Sequence, residues 1–517
     1  MTAARGQNGF ASPVISERLI DEPRPLKVIY IGAGVSGIVG AIQLRKMVPT
    51  IELVIYPGCA CDVPSHSYQL SFESSTDWSQ FYASAPEILA YWKRVARKYD
   101  VERLVRFQHK CVEARWDAGQ SKWSVKLQKL DRSDGADLVE DTADVLMTGT
   151  GVLNEWRWPD IKGLHDFKGD LLHSANWNDA FDPKIVPALA GKVRSMDHYI
   201  RGKTWITNQI GEEFLKERTW SGSGNFEYTS EEKAVWKQDP AAYVQYRKSL
   251  ELKLQGNYAI SQRGDPSRAQ ATRASFEQQM RDRLQAKPEL ISHLIPDFPP
   301  FCKRLTPGPG YLEALSSSPA VTVIPTPISH VDATGIWTAD GTTHRPVDAI
   351  ICATGFDTSS GSVSFPIYGR DSATSLRAKY AAAGATPRTY LGLCTDGFPN
   401  FFHALGPNSF QGAGNLLVTI EAAHATVYTA DCLSWYKSAP PGASVEERKR
   451  GRVTALWPGS SVHALHALSE VRWEDFEVES CGGNEFAWFG NGWTVADRSG
   501  VAEGLTWYIR DGGLAGS

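Results

Sequence analysis

Four residues in the middle of the chain have types and spacings suited to chemistry. Phe167, Gly169, His173 and Trp177 stand in the order F-x-G-x-x-x-H-x-x-x-W, with Asn178 following. Fixed spacings with aromatic, glycine and histidine at set places form a fingerprint rather than a chance run. The plain alternative is a loop whose Phe167 and Trp177 are core anchors and whose His173 is merely hydrogen-bonded. A second set lies near the start, where Gly32-Ala33-Gly34-Val35-Ser36-Gly37 reads G-x-G-x-x-G. The first glycine permits a tight turn, the second lets backbone approach a pyrophosphate, and the third lets helix pack on strand. Phosphate would then sit at a helix N-terminus.

The elements around these residues have to hold them. Leu26 to Ile31 is a short apolar run that reads as a buried strand, and Ile38 to Met47 has apolar residues at helical spacing. Strand, turn and helix in that order make the Gly32–Gly37 motif a dinucleotide turn rather than a bare pattern. Ile51 to Tyr56 gives a second strand, after which a dinucleotide site wants Asp or Glu for the ribose hydroxyls. The next residue here is Pro57. Ile88, Trp92, Val95 and Tyr99 lie on one helical face, and Cys111 to Trp116 and Trp123 to Leu127 alternate as a hairpin around Asp117-Ala118-Gly119. Asp144 to Thr148 and Ala349 to Ala353 are strands ending in Gly149-Thr150-Gly151 and Thr354-Gly355. Each could be a plain turn; as a pair they fit a chain that leaves one nucleotide-binding domain and returns to it, so Ala349–Gly355 is expected in the sheet of Leu26–Tyr56. The charged, Gln-rich stretch from Gly211 to Lys287 reads as a helical insertion, with helices near Ala241–Leu254 and Ser275–Ala286, silent as to function.

Bulk properties bound the function classes. The 517 residues suggest two to four domains, and 54 basic against 58 acidic residues, a net charge of −4, give no electrostatic case for nucleic acid. Met1 to Arg24 has no apolar run and reads as a flexible arm, neither signal peptide nor membrane span. Eight cysteines in so long a chain are no disulfide framework. The Cys59/Cys61 pair lacks a second pair at zinc-like spacing, so no metal is expected and a reducing, cytosolic compartment fits. Seventeen Trp and 18 Tyr are mostly core residues, though such a chain can line a pocket for a flat apolar substrate.

From about Lys27 to Tyr508 the chain resembles fungal Baeyer–Villiger monooxygenases, relatives of the flavin-containing monooxygenases. The resemblance implies an α/β fold with two dinucleotide-binding (Rossmann-like) domains. An arm over 1–25 precedes an FAD domain over 26–155 and 340–517. The second, a remnant NADPH domain over 156–210 and 288–339, is incomplete in this chain and is interrupted by the helical insertion over 211–287. It implies FAD and NADPH as cofactors, and a small-molecule ketone and O2 as substrates. Pro57 to His66 resembles the segment beside the flavin ring, which would place Asp62 near the reacting ring and the nicotinamide. Tyr68 and Val112 would contact FAD, together with Gly32, Gly34, Ser36 and Gly37, and His173 would serve the cofactors. Phe301-Cys302-Lys303-Arg304 resembles the family's Lys-Arg pair. Arg304 would stabilise negative charge on the oxygenated flavin, a role suited to a permanently charged guanidinium. Lys303, Arg201 and Lys203 would meet the 2′-phosphate of NADPH. The plain alternative for each basic residue is a solvated surface charge. Fungal enzymes most like this chain, including the tail around Trp488 and Trp493, often act in polyketide pathways such as the sterigmatocystin and aflatoxin routes to anthraquinone-type mycotoxins. Steroid and alicyclic ketones are also open.

Two departures stand out. The family continues past a strand like Val54-Ile55-Tyr56 with an acid and a Gly-Gly-Thr-Trp loop; here about twenty residues are missing and Tyr56 abuts Pro57. An extended chain spans about 3.3–3.6 Å per residue, so Tyr56 and Asp62 can be at most roughly 20 Å apart. After Trp177 the family builds a strand and a second G-x-G-x-x-G; here Phe181-Asp182-Pro183-Lys184 runs into Ile185 to Leu189, which reads as the body of the next helix. Clean gaps of similar size suit either coding sequence removed as though it were short introns or a degenerate family member. The chain as it stands is expected to hold FAD poorly and NADPH hardly at all. A non-redox descendant of the fold, binding protein or isomerase, and an oxidase using FAD alone are the other readings.

Overall fold

The computed structural model describes residues 25–56 apart from 48–50, then 65–130, 138–151, 153–176, 185–208, 225–256, 266–300, 305–357 apart from 342, 363–382, 387–407 and 409, with a few short pieces elsewhere. Asp62, the Cys59/Cys61 pair, Trp177, Lys303, Arg304, the arm over 1–24 and the aromatic tail around Trp488 lie outside the described residues.

The first expected unit is present. Strand β1 (Leu26–Ile31) feeds helix α1 (Val35–Met47), and β2 (Ile51–Tyr56) returns parallel to β1 with Ile31 opposite Tyr56. The sheet continues on the other side of β1 with Val145–Thr148 and then Phe401–His403, all four strands parallel. Parallel strands are covered on both faces, which is why β1 reads as an unbroken apolar run. Ile29 and Ile31 face one cluster, with Leu146 and Phe401, while Val28 and Tyr30 face another, with Ile38, Ile42 and Leu53.

The return strand is the point where the structure corrects the sequence reading. Ala349–Cys352 does not join β1 and β2; it pairs in parallel with Asp170–His173 in a separate two-stranded sheet. Phe401–His403 fills the expected place instead. A four-residue apolar strand carries no code for its partner, and here the partner is set by a cluster in which Ile350 and Cys352 pack with Leu164, Phe167, Val331 and Ile336. The chain does come back to its first sheet from far along the sequence, about fifty residues later than expected.

The smaller expectations hold. The helix Ala85–Lys98 buries Ile88, Tyr91, Trp92, Val95 and Ala96, with a proline in its first turn. His109–Asp117 and Lys122–Lys129 form the hairpin, with Trp116 opposite Trp123, and Asp117 Oδ1 accepts from the Gly119 and Gln120 amides to shape the turn. Leu138–Ala143 extends that sheet. The insertion is helical at Ser230–Gln238, Pro240–Gly256 and Pro266–Arg283. Further pairs, Met196–Tyr199 with Val321–Ile324 and Ile206–Thr207 with Thr306–Pro307, are parallel, the pattern of an α/β unit on either side of the insertion.

Trp123 ties hairpin to sheet: it is fully buried against Phe401, and its indole N–H donates to the Pro399 carbonyl at 2.9 Å. Trp123→Ala is expected to destabilise the protein by about 3–5 kcal/mol, and Trp123→Phe by about 1–3 kcal/mol through the stranded carbonyl. Denaturant midpoints at constant m-value check this; equal midpoints for Trp123→Phe and the unaltered protein would remove the hydrogen bond from the account.

Candidate functional site

The turn at Gly32 has the geometry its motif requires. Gly32 sits at φ +120°, and a Cβ there would come within 2.3 Å of the Gly149 carbonyl oxygen. Gly34 accepts the Ile38 amide at 3.0 Å, starting α1, and the Gly149 amide donates to the Ile31 carbonyl at 2.7 Å. Ser36 lies beside Gly149. The motif therefore opens a helix outside the carboxyl end of a parallel strand, where open α/β sheets take ligands. These residues fit a dinucleotide pyrophosphate.

The fingerprint folds into a bracket. Phe167 is buried, and Gly169 lies so close that a Cβ there would meet the Phe167 ring at 2.6 Å and the Asp348 carbonyl at 2.3 Å, which accounts for the F-x-G pair. His173 ends its strand 1 % exposed, stacked on Trp156 at 4.7 Å and edge-on to Trp158 at 5.5 Å. The Ala175 amide donates to its Nδ1 at 3.1 Å, so the ring proton lies on Nε2, which faces Thr354 Oγ1 at 3.1 Å. Burial holds its pKa below the ordinary histidine value. Both ring nitrogens are thus engaged within the protein: the histidine joins the two strands ending at His173 and Cys352. The Trp156 stack was missed from sequence; the W-x-W spacing of Trp156 and Trp158 was its signal.

The remaining candidates are spread out. Tyr68 is buried with Leu70, Trp78 and Phe81. Val112 falls where the hairpin register shifts between Cys111 and Glu113, so it is bulged from the ladder. Arg201 is exposed and Lys203 half-buried, both in the connection after Met196–Tyr199. No group of three or more His, Cys, Asp or Glu among the described residues is placed to hold a metal. No helix among them is long and apolar enough to cross a membrane.

The structure adds a network around His66. His66, 1 % exposed, lies among the rings of Tyr228, Trp236, Tyr243 and Tyr246, all from the insertion. Tyr243 donates to the Ser75 carbonyl and accepts from Gln69, so His66 Nδ1–H, 2.6 Å away, donates to it. Burial, then the Arg247 and Lys233 charges, lower the His66 pKa to about 3. His403, packed against Phe401 and hydrogen-bonded to Tyr380, is lowered to about 3 by burial alone.

No family model matches the chain. Individual proteins do. A fungal FAD-binding monooxygenase, tazF of Aspergillus terreus, is 32 % identical over 92 % of this chain and 93 % of its own length. The FAD-binding monooxygenase moxY of Dothistroma septosporum is 30 % identical over 96 % of this chain and 87 % of its own. A Baeyer–Villiger monooxygenase of Pseudomonas aeruginosa is 29 % identical over 82 % of this chain and 81 % of its own. Among solved structures, an oxidised steroid monooxygenase bound to NADP superposes with TM-score 0.60 at 26 % identity over 77 % of this chain and 83 % of that one. A cyclohexanone monooxygenase of Rhodococcus bound to NADP+ gives 0.62 at 23 % over 77 % and 82 %, a likeness of fold. Fold and turn thus define an α/β dinucleotide-binding protein of the flavoprotein monooxygenase class. The chain belongs to the family of FAD-binding monooxygenases that includes the Baeyer–Villiger enzymes.

Gly32→Ala is expected to cost at least about 1–3 kcal/mol, since a side chain there is both strained and opposed by backbone; an unchanged melting temperature would contradict the turn geometry. The buried imidazoles set an acid dependence. Unfolded histidines titrate near 6.5, whereas His66 and His403 resist protonation in the fold to about 3. Their contribution is therefore complete above roughly 6.5 and lost as pH falls toward 3, at up to about 1.4 kcal/mol per pH unit for each. Urea midpoints between pH 7 and 4 check it, and a His66→Gln, His403→Gln variant should show a shallower fall; an equal fall would assign the acid sensitivity elsewhere.

Proposed function

We propose that this protein is an FAD-dependent, NADPH-using monooxygenase of Baeyer–Villiger type. In the overall reaction a ketone, O2, NADPH and a proton give an ester, water and NADP+, with one oxygen atom inserted beside the carbonyl. The observation that carries this is the Gly32 turn, packed on Gly149 at the head of α1, in a chain alignable with FAD-binding monooxygenases over nearly its whole length. Bound FAD supplies the redox chemistry, and the protein supplies orientation and electrostatics. The backbone at Gly32, Gly34, Ser36 and Gly37 holds the FAD pyrophosphate, and Tyr68 and Val112 line the rest of its site. His173 holds the strand ends at the cofactor side in one arrangement. By the resemblance to the family, Asp62 and Arg304 would serve the reacting centre, and Lys303, Arg201 and Lys203 would supply the cations that a 2′-phosphate requires. The substrate we favour is an aromatic polyketide ketone of anthraquinone type, in keeping with fungal relatives at 29–32 % identity and with 17 Trp and 18 Tyr in the chain.

The test is ketone conversion under labelled O2 by protein carrying both missing segments. Incorporation of one labelled atom into ester is the expected outcome, and turnover of NADPH without labelled ester for any ketone class would overturn the reading. Arg304 gives a sharper check. A fixed cation at Arg304 would stabilise negative charge developing at the reacting centre more than a neutral resting state. Arg304→Ala should leave FAD bound but abolish ester formation, with reducing equivalents lost as hydrogen peroxide. Arg304→Lys should rescue only in part, because an ammonium lacks the planar fork of donors. Ester formation near the unaltered rate in Arg304→Ala would make Arg304 a structural or surface residue.

A further inference from the structure

The second dinucleotide site disagrees with the first. Between Asn176 and Met196 the sequence holds a single glycine, Gly191, whereas a Gly-rich phosphate turn uses three, for the tight turn, the approach to pyrophosphate and the helix–strand packing. Gly191 itself is not closely approached: a Cβ there would meet nothing within 4 Å, in contrast to 2.3 Å at Gly32. The helix at Ile185–Leu189 has five residues, Val186 packs into the core with Trp205 and Leu312, and the next strand is Met196–Tyr199. Among the described residues of this stretch there is no strand–turn–helix like that of β1, Gly32 and α1. At the first site the turn survives, but no acid follows β2 before Asp62. The acid within β2, Glu52, lies two-thirds exposed and 3.7 Å from the Lys27 ammonium. The alignments with two relatives run over 548 and 569 positions, more than the 517 residues of this chain, so each relative contains residues that this chain lacks.

We infer that the described residues of this chain form no seat for the NADPH pyrophosphate and only a weakened one for FAD, and that the working enzyme carries one further segment at Tyr56/Pro57 and another at Pro183/Lys184. The inference rests on the FAD- and NADPH-dependent reading above. The first segment supplies the ribose acid after β2; the second supplies a strand and phosphate turn ahead of Ile185. Arg201 and Lys203, in the connection after Met196–Tyr199, then offer charge without a phosphate turn beside it.

The experiment compares the 517-residue protein with one carrying the corresponding tazF segments at both junctions. A cooperative thermal transition serves as the folding control, and each protein is titrated calorimetrically with FAD and with NADP+. Saturable NADP+ binding in the restored protein, at least about a hundredfold tighter than in the 517-residue protein, together with tighter FAD binding, is expected. Stoichiometric micromolar NADP+ binding by the 517-residue protein overturns the inference and leaves the proposed function standing. Both proteins binding FAD while neither binds NADP+ sinks the NADPH reading and the inference with it. Should the 517-residue protein show no transition, the transcript across the two junctions decides: added in-frame codons there support the inference, and their absence overturns it.

Discussion

The contact on which the first domain depends is backbone against backbone, Gly32 against the Gly149 carbonyl. It brings the ends of β1 and of Val145–Thr148 so close that no side chain fits at Gly32, and it is the reason the turn can present amides rather than side chains outward. The space beneath is filled by Tyr30, buried between Gly40 of α1 and Gly149. A ring, two glycines and a left-handed turn thus fix how helix meets strand, and the phosphate geometry follows from that. Strand pairing farther out, to β2 on one side and Phe401–His403 on the other, only extends what this contact sets.

A second constraint is the neutrality of three buried histidines. His173, His66 and His403 each engage at least one protein hydrogen-bonding partner and lie against aromatic rings. A charged imidazole in any of these places would be costly. His173 joins the fingerprint strand to Ala349–Cys352, and His403 sits in the strand that closes the first sheet. His66 receives the helical insertion: backbone bonds from Phe81 to Phe226 and from Tyr228 to Ser79 run alongside it. The insertion, silent in sequence, is thereby fastened to the Ser65–Ser67 turn and the Ser79–Phe81 segment. Within the protein the fingerprint histidine is hydrogen-bonded through both ring nitrogens and is placed where two strand ends meet.

What the sequence determined by itself is local. The Gly32–Gly37 turn, the hairpin at Asp117–Gly119 and the helix Ala85–Lys98 were legible because their rules act over a few residues: a turn needs glycine or Asp, and a buried helix face repeats every 3.6 residues. The missing ribose acid and the single glycine before Met196 are also plain in the residues. What only tertiary structure decided is which short strand lies beside which. Ala349–Cys352 reads like Val145–Thr148, each four residues and each followed by a glycine turn, yet one joins the first sheet and the other the fingerprint strand. Phe401–His403, three residues long, gave no strand signal, although it closes the sheet. The Trp156 stack on His173 and the aromatic cage around His66 likewise unite residues up to 180 positions apart. The reason is physical: parallel pairing and ring packing are fixed by shared burial between distant segments, and a short apolar stretch carries no record of the surface that will cover it.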